Sequence, residues 1–235
     1  MGDLPVGTTE EWVKKMKDLN KYNVLFAGKI NRFLRKGINK RNQKRLENKE
    51  FSLLCNNCNG GIITHDLGQQ FRSPTVNLFF IEDHFIRFCE NFDYYIAQPL
   101  VYCEAPQHKP GFEYPVCNLG DLELHFMHYG SFAQAKEKWD SRKARLNREN
   151  LFVMWAFFGG TDEAWLARFD RLPFPNKVAF TEKEFPQHKS AVYIPGFEEQ
   201  GLGVLTLFDG VRGKRVIDAF DYVKWFNEGG PGAGR

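Results

Sequence analysis

Apolar and polar positions follow two rhythms along this chain, and each change of rhythm marks an element. Phe51-Ser-Leu-Leu-Cys55 is a short apolar run closed by Asn and Gly, which suits a buried strand. Pro74 to Phe80, Leu151 to Phe158, Val178 to Thr181, Ala191 to Pro195 and Val204 to Phe208 repeat that pattern. Between them the spacing turns helical. Phe85, Phe88, Cys89, Phe92, Tyr95 and Ile96 recur at three and four residues, behind acids that favour a helix start. Phe132, Ala135, Trp139 and Leu146 do the same after Ser131, a natural cap, and Trp165, Leu166, Phe169 and Leu172 after Gly159-Gly160-Thr161. A short helix is expected over residues 62–71 and a last one near Asp218 to Phe226. Pro99 to Pro115 reads as loop, and Pro115 to Tyr129 as two strands or one bent strand, with Leu122-Glu-Leu-His-Phe126 marking a less buried sheet face.

Strands alternating with helices predict an α/β fold, an open and largely parallel sheet with helices on both faces in Rossmann-like layers. Residues 1–50 read as a basic helical extension, 51–228 as the α/β core and 229–235 as an unstructured tail. In the extension, Val24, Leu25, Ile30, Phe33 and Leu34 form an apolar stripe expected to pack on the core.

Composition agrees with a folded chain: 43% of 235 residues are apolar, and aromatic side chains, scarce in disordered segments, make up 15%. Five scattered cysteines do not form a secreted disulfide pattern. The start of the chain shows no signal peptide, and no apolar run is long enough to cross a bilayer, so a cytoplasmic protein is expected. Charge changes the picture. The net charge is +3, yet Lys29 to Lys49 holds nine Lys and Arg against Glu47 alone. Such a segment suits anionic lipid at the inner membrane surface or a phosphorylated sugar. Nucleic acid is not expected, because no reader motif accompanies it.

The chemistry concentrates at Cys55-Asn56-Asn57-Cys58-Asn59-Gly60-Gly61, at the carboxyl end of a strand, where open α/β sheets gather ligands. Gly60 and Gly61 allow a sharp turn and close approach, while Asn56 and Asn57 tolerate left-handed backbone. Cys58 is the candidate nucleophile, set against the alternative of an inert thiol, and Cys55 reads as strand interior. The Cys-x-x-Cys spacing is weak as a zinc or redox motif, since no second ligand pair follows. His128, near a strand end, is the candidate acid or base to meet Cys58, with Tyr129 beside it. His65-Asp66 is either an oriented imidazole or a helix cap. Arg142 lies about 20° from Ala135 and about 60° from Trp139 on a helical wheel, so it sits on the apolar face. There it either snorkels or, with Arg145, holds an anion. No nucleotide-loop, dinucleotide or hydrolase-elbow signature is present, and neither cofactor nor metal is expected.

Several of these residues resemble a bacterial family of exopolysaccharide biosynthesis proteins associated with capsules and surface glycans. The resemblance runs from Ser52 to Phe180 through Asn56-Asn57-Cys58-x-Gly60-Gly61, Ser73-Pro74-Thr75-Val76-Asn77-Leu78-Phe79, Tyr114-Pro115, His128-Tyr129 and Trp139-x-x-Arg142-x-x-Arg145-x-Asn147. It implies a transferase or modifier acting on a sugar-phosphate or nucleotide-sugar, with Cys-dependent acyl transfer as one chemistry. A noncatalytic binding or scaffold subunit of a glycan assembly complex at the membrane is the alternative.

Overall fold

The computed structural model describes residues 27–108, 113–157, 160–195 and 205–232. A long helix α1 (Ala27–Arg45) leads into strand β1 (Ser52–Cys55), which runs straight into helix α2 (Asn59–Asp66). Strand β2 (Phe79–Phe80) is followed by helices α3 (Glu82–Glu90) and α4 (Phe92–Ala97) and by strands β3 (Leu100–Tyr102), β4 (Val116–Leu119) and β5 (Leu122–His125). Helix α5 (Phe132–Lys143), strand β6 (Leu151–Ala156), helix α6 (Glu163–Asp170), strands β7 (Asn176–Thr181) and β8 (Ala191–Tyr193) and helix α7 (Tyr222–Glu228) complete the order.

The protein is α/β, but its strands form two sheets. β1, β6, β7 and β8 make a four-stranded parallel sheet in the order β1-β6-β7-β8, with Ser52 opposite Leu151 and Phe152 opposite Asn176. β2, β5, β4 and β3 make a separate antiparallel sheet. The expectation of one doubly layered parallel sheet is corrected to that extent. The physical reason is the short Gly120-Asp121 connection, which returns β4 as a hairpin where a parallel strand needs a long crossover. Phe80 N–H donates to Asn56 O at 2.8 Å, so the sheets meet at the end of β1.

Both faces of the parallel sheet are buried, which explains the continuous apolar reading of β6. Leu54, Val153, Trp155 and Ala179 face a core shared with the antiparallel sheet and helices α3 to α6. Leu53, Cys55, Phe152, Met154 and Phe180 face a second core closed by α2 and α7. All six residues of the expected helical run from Phe85 are buried, although the run breaks into α3 and α4 at Asn91. Ser131 caps α5 as expected, through Gln134 N–H, whereas α6 is capped by Asp162 rather than opened by the glycines; Phe158 and Gly159 lie outside the described residues.

Three other expectations change. Helix α1 docks through a polar stripe, with Asn31, Arg35, Asn42 and Leu46 buried, while Ile30, Phe33 and Leu34 are exposed; Val24 and Leu25 lie outside the described residues. Among the described residues of the run from Val204 to Phe208, only an isolated bridge between Phe208 and Arg215 forms. Gly229 to Gly232 are pinned to the body: Gly230 N–H donates to Asn176 Oδ1 at 2.8 Å and Gly232 N–H to Lys177 O at 3.2 Å.

Candidate functional site

The chain leaves β1 at Cys55 and enters α2 within three residues, and side chains fix that turn. Asn56 clips the end of β6: its Nδ2 donates to Ala156 O at 2.9 Å and its Oδ1 accepts from Ala156 N–H at 3.1 Å. Asn57 Oδ1 accepts from Asn59 N–H at 3.0 Å, satisfying one free donor at the start of α2. Gly60 and Gly61 belong to the first turn of α2. Their role is close approach rather than a sharp bend. A Cβ on Gly60 would stand 2.7 Å from Cys55 Cβ, and one on Gly61 would meet Asn77 Oδ1 at 3.0 Å. Left-handed backbone falls on neither Asn56 nor Asn57 but on Asn77, at φ 63°.

This turn leaves Cys58 half-buried at the helix start, with its Sγ 3.1 Å from His128 Nε2. His128 sits in the turn after β5, not on the strand. Two effects oppose each other at the thiol. A helix N-terminus favours a thiolate, but burial is the larger influence and, with Cys55 nearby, pushes Cys58 up to about 12. Partial burial also lowers His128. The resting pair is a neutral thiol beside a neutral imidazole, so proton transfer accompanies attack instead of preceding it.

Beside the pair lies a buried cation. Arg142, 7% exposed, donates through Nη1 to Val76 O at 3.1 Å and to the Tyr129 hydroxyl, and stacks its guanidinium 5.2 Å from the Phe71 ring centre. Tyr129 donates to Val76 O at 2.8 Å. Arg142 forms no ion pair among the described residues, and a buried charge without a counter-charge favours an incoming anion. Arg145 is exposed and its Nε donates to Phe71 O at 3.1 Å. Arg142, Tyr129 and Arg145 therefore grip the segment from Phe71 to Asn77, and Cys55 N–H donates to Thr75 Oγ1 at 3.0 Å from the opposite side.

The remaining candidates lie elsewhere. The His65 side chain is 80% exposed, and its Nδ1 is 3.7 Å from Asp66 Oδ1. Asp66 is buried and taken by Arg35 Nε at 2.9 Å, so it does not orient that imidazole. Asp66 belongs instead to a network unforeseen in the sequence. Arg35 also bonds Asp218 and, at 3.0 Å, the Tyr222 hydroxyl, which Asn42 joins at 3.0 Å. A second unforeseen cluster is buried in the antiparallel sheet. Glu123 Oε1 meets His125 Nε2 at 2.9 Å and lies 3.5 Å from His108 Nδ1, while Tyr114 OH stands 3.1 Å from His125 Nδ1. The polar positions of Leu122-Glu-Leu-His-Phe126 are thus covered rather than open, with Phe79 stacked on His125 at 4.4 Å. Among the described residues, no group of His, Cys, Asp and Glu is arranged to hold a metal ion. No helix there is long and apolar enough to cross a membrane.

Fold and geometry define an α/β protein with a thiol–imidazole pair at the end of a parallel strand. Residues 29–227 match the family model described as a domain of unknown function, DUF1919, and the chain belongs to that family. It is also 45% identical over 199 residues to a protein of Haemophilus influenzae described as uncharacterized, covering 84% of this chain and 94% of that one.

Proposed function

We propose that the protein is a cysteine-dependent transferase that modifies an activated, phosphate-bearing carbohydrate in surface or exopolysaccharide biosynthesis. The biological setting rests on the sequence resemblance; the chemistry rests on Cys58 Sγ lying 3.1 Å from His128 Nε2. In acyl transfer, Cys58 sulfur bonds to the acyl carbon as its proton passes to His128. His128 then protonates the leaving group, and a thioester remains. A sugar hydroxyl attacks that thioester, gives its proton to His128, and the thiol is restored as the new ester forms. Arg142 supplies the positive charge that anionic substrates seek.

p-Nitrophenyl acetate tests this chemistry. An acetyl adduct on Cys58, seen by intact mass and peptide mapping, is expected. Cys58→Ala removes it, and His128→Ala slows its formation by about 10²-fold or more, the usual range for a general base. Adduct formation on Cys58 at an unchanged rate in His128→Ala would sink the mechanism.

A second reading, the noncatalytic subunit at an anionic membrane surface, is favoured by helix α1. Phe33 is 74% exposed and Ile30 43% exposed, flanked by Lys29, Arg32, Lys36 and Lys40. Apolar side chains among cations suit a lipid interface. On this reading, phosphatidylglycerol vesicles sediment the protein, phosphatidylcholine vesicles do not, and Phe33→Asp abolishes the effect. Equal recovery with both lipids rules it out.

A further inference from the structure

Helices α1 and α2 and the stretch around Phe208 and Arg215 enclose an open cleft of about 590 Å³, within the size range of ligand sites. Four cationic side chains, Arg32, Arg35, Lys36 and Arg215, line it against one carboxylate, Asp66. Arg35 is fully used. Its Nε, Nη1 and Nη2 bond Asp66, Asp218 and Tyr222, which neutralises the floor.

Arg32 and Lys36 are left over, while Arg215 shares the Asp66 carboxylate with Arg35. Arg215 Nε is 3.3 Å from Asp66 Oδ2, but too poorly aligned to form a hydrogen bond and buried without another partner; Nη1 donates to Thr206 O, and the guanidinium stands 5.0 Å from the Phe208 ring centre. Arg32 and Lys36, one helical turn apart on α1, are exposed and form no ion pair among the described residues. The opposite wall is Gly61, Asn77 and Phe71, and Phe71 is the ring against which Arg142 stacks. One segment therefore separates this cleft from the surroundings of the Cys58–His128 pair.

We propose that the cleft binds a diphosphate group, with Arg32, Lys36 and Arg215 as its charge partners. This rests on the transferase reading in one respect, that the diphosphate belongs to the activated carbohydrate. Four cations against the Asp66 and Asp218 carboxylates leave two net positive charges, which match the negative charges of a diphosphate ester, and the arginines among them offer forked donors to its oxygens. The Phe71 and Phe208 rings give the carbohydrate or its carrier an apolar edge to rest on.

Inorganic pyrophosphate, titrated calorimetrically into the full chain, is the probe. Saturable binding is expected. It should weaken at least about tenfold in the Arg32→Ala/Lys36→Ala double variant, whose exposed positions leave the fold intact, and weaken as salt rises. Cys58→Ser should bind pyrophosphate as the parent does, and a parent protein that forms no acetyl adduct yet keeps cleft-dependent pyrophosphate binding rejects the transferase chemistry and keeps the site. Absence of saturable binding, or equal affinity in the double variant, overturns the proposal. So does binding of phosphatidylglycerol vesicles that the double variant loses and pyrophosphate does not displace, which assigns the same cations to a lipid surface.

Discussion

His125 shows how far a single residue departs from its sequence reading. Alternation in Leu122-Glu-Leu-His-Phe126 correctly marks a strand, yet it assigns Glu123 and His125 to a less buried face. They are 4% and 1% exposed, because Phe79 and residues 107–108 fold over them, and contacts so distant along the chain leave no local periodicity. Burial lowers the His125 pKa, Glu123 opposes it, and His108 and His84 add to the lowering. Between that lowered value and the unfolded value near 6.5, the unfolded chain binds more protons than the folded one. The stabilisation from neutral His125 is therefore complete above about 6.5 and is lost as pH falls, at up to about 1.4 kcal/mol per pH unit. Urea unfolding at pH 7 and pH 5 should show this slope, and His125→Gln should flatten it. An unchanged slope in the variant assigns the acid sensitivity to other groups. The Cys58–His128 pair was accessible in part: Cys58 follows a strand of the parallel sheet, whose ends gather ligands, whereas His128 follows a strand of the other sheet.

At the scale of elements, α2 was expected too late, and of the sharp turn and close approach read from its glycines only close approach is used, toward neighbouring protein atoms. Apolar spacing begins at Ile62, but the helix begins at Asn59, where Asn57 Oδ1 accepts the first free N–H and Gly60 permits contact with β1. The residues of the resemblance converge on one task, since Tyr129, Arg142 and Arg145 bond the segment before β2 and Thr75 within it accepts from Cys55 N–H. Gly60 and Gly61 then separate by magnitude. Alanine in a helix gains about 1 kcal/mol over glycine. At Gly60 the new methyl meets a strand Cβ at 2.7 Å, and overpacking of about 1–3 kcal/mol exceeds that gain. At Gly61 the nearest atoms are side-chain atoms at 3.0 and 3.1 Å, so a small shift leaves the propensity gain to offset the crowding. Gly60→Ala should lower the denaturation midpoint and the p-nitrophenyl acetate rate together, and Gly61→Ala should leave stability within about 1 kcal/mol of the parent. The reverse order would show that backbone torsion, not contact, selects these glycines.

For the molecule as a whole, the α/β class was legible because buried strands and amphipathic helices carry their own periods. The division into two sheets was not, since pairing direction depends on loops rather than on either period. Helix α1 fails instructively. Its period is helical, with positions 31, 35, 42 and 46 facing inward, but the inward residues are mostly polar and hydrogen-bonded, a pattern that hydrophobicity alone inverts. Arg35 is the centre of that docking: Asp66 from α2, Asp218 just before α7 and Tyr222 within it converge on one guanidinium. If α1 were an appended extension, losing Arg35 would loosen the helix and leave the body unchanged. The network argues otherwise, because Asp66 and Asp218 stay partly or wholly buried without their shared cation. Arg35→Ala is expected to cost about 3–5 kcal/mol, the usual penalty for breaking a buried ion pair. The urea transition followed by fluorescence of Trp139, Trp155 and Trp225, all in the two cores, should move to lower denaturant as one cooperative step. Proteolytic nicking confined to α1, with the tryptophan transition unmoved, would return the helix to the status of an extension.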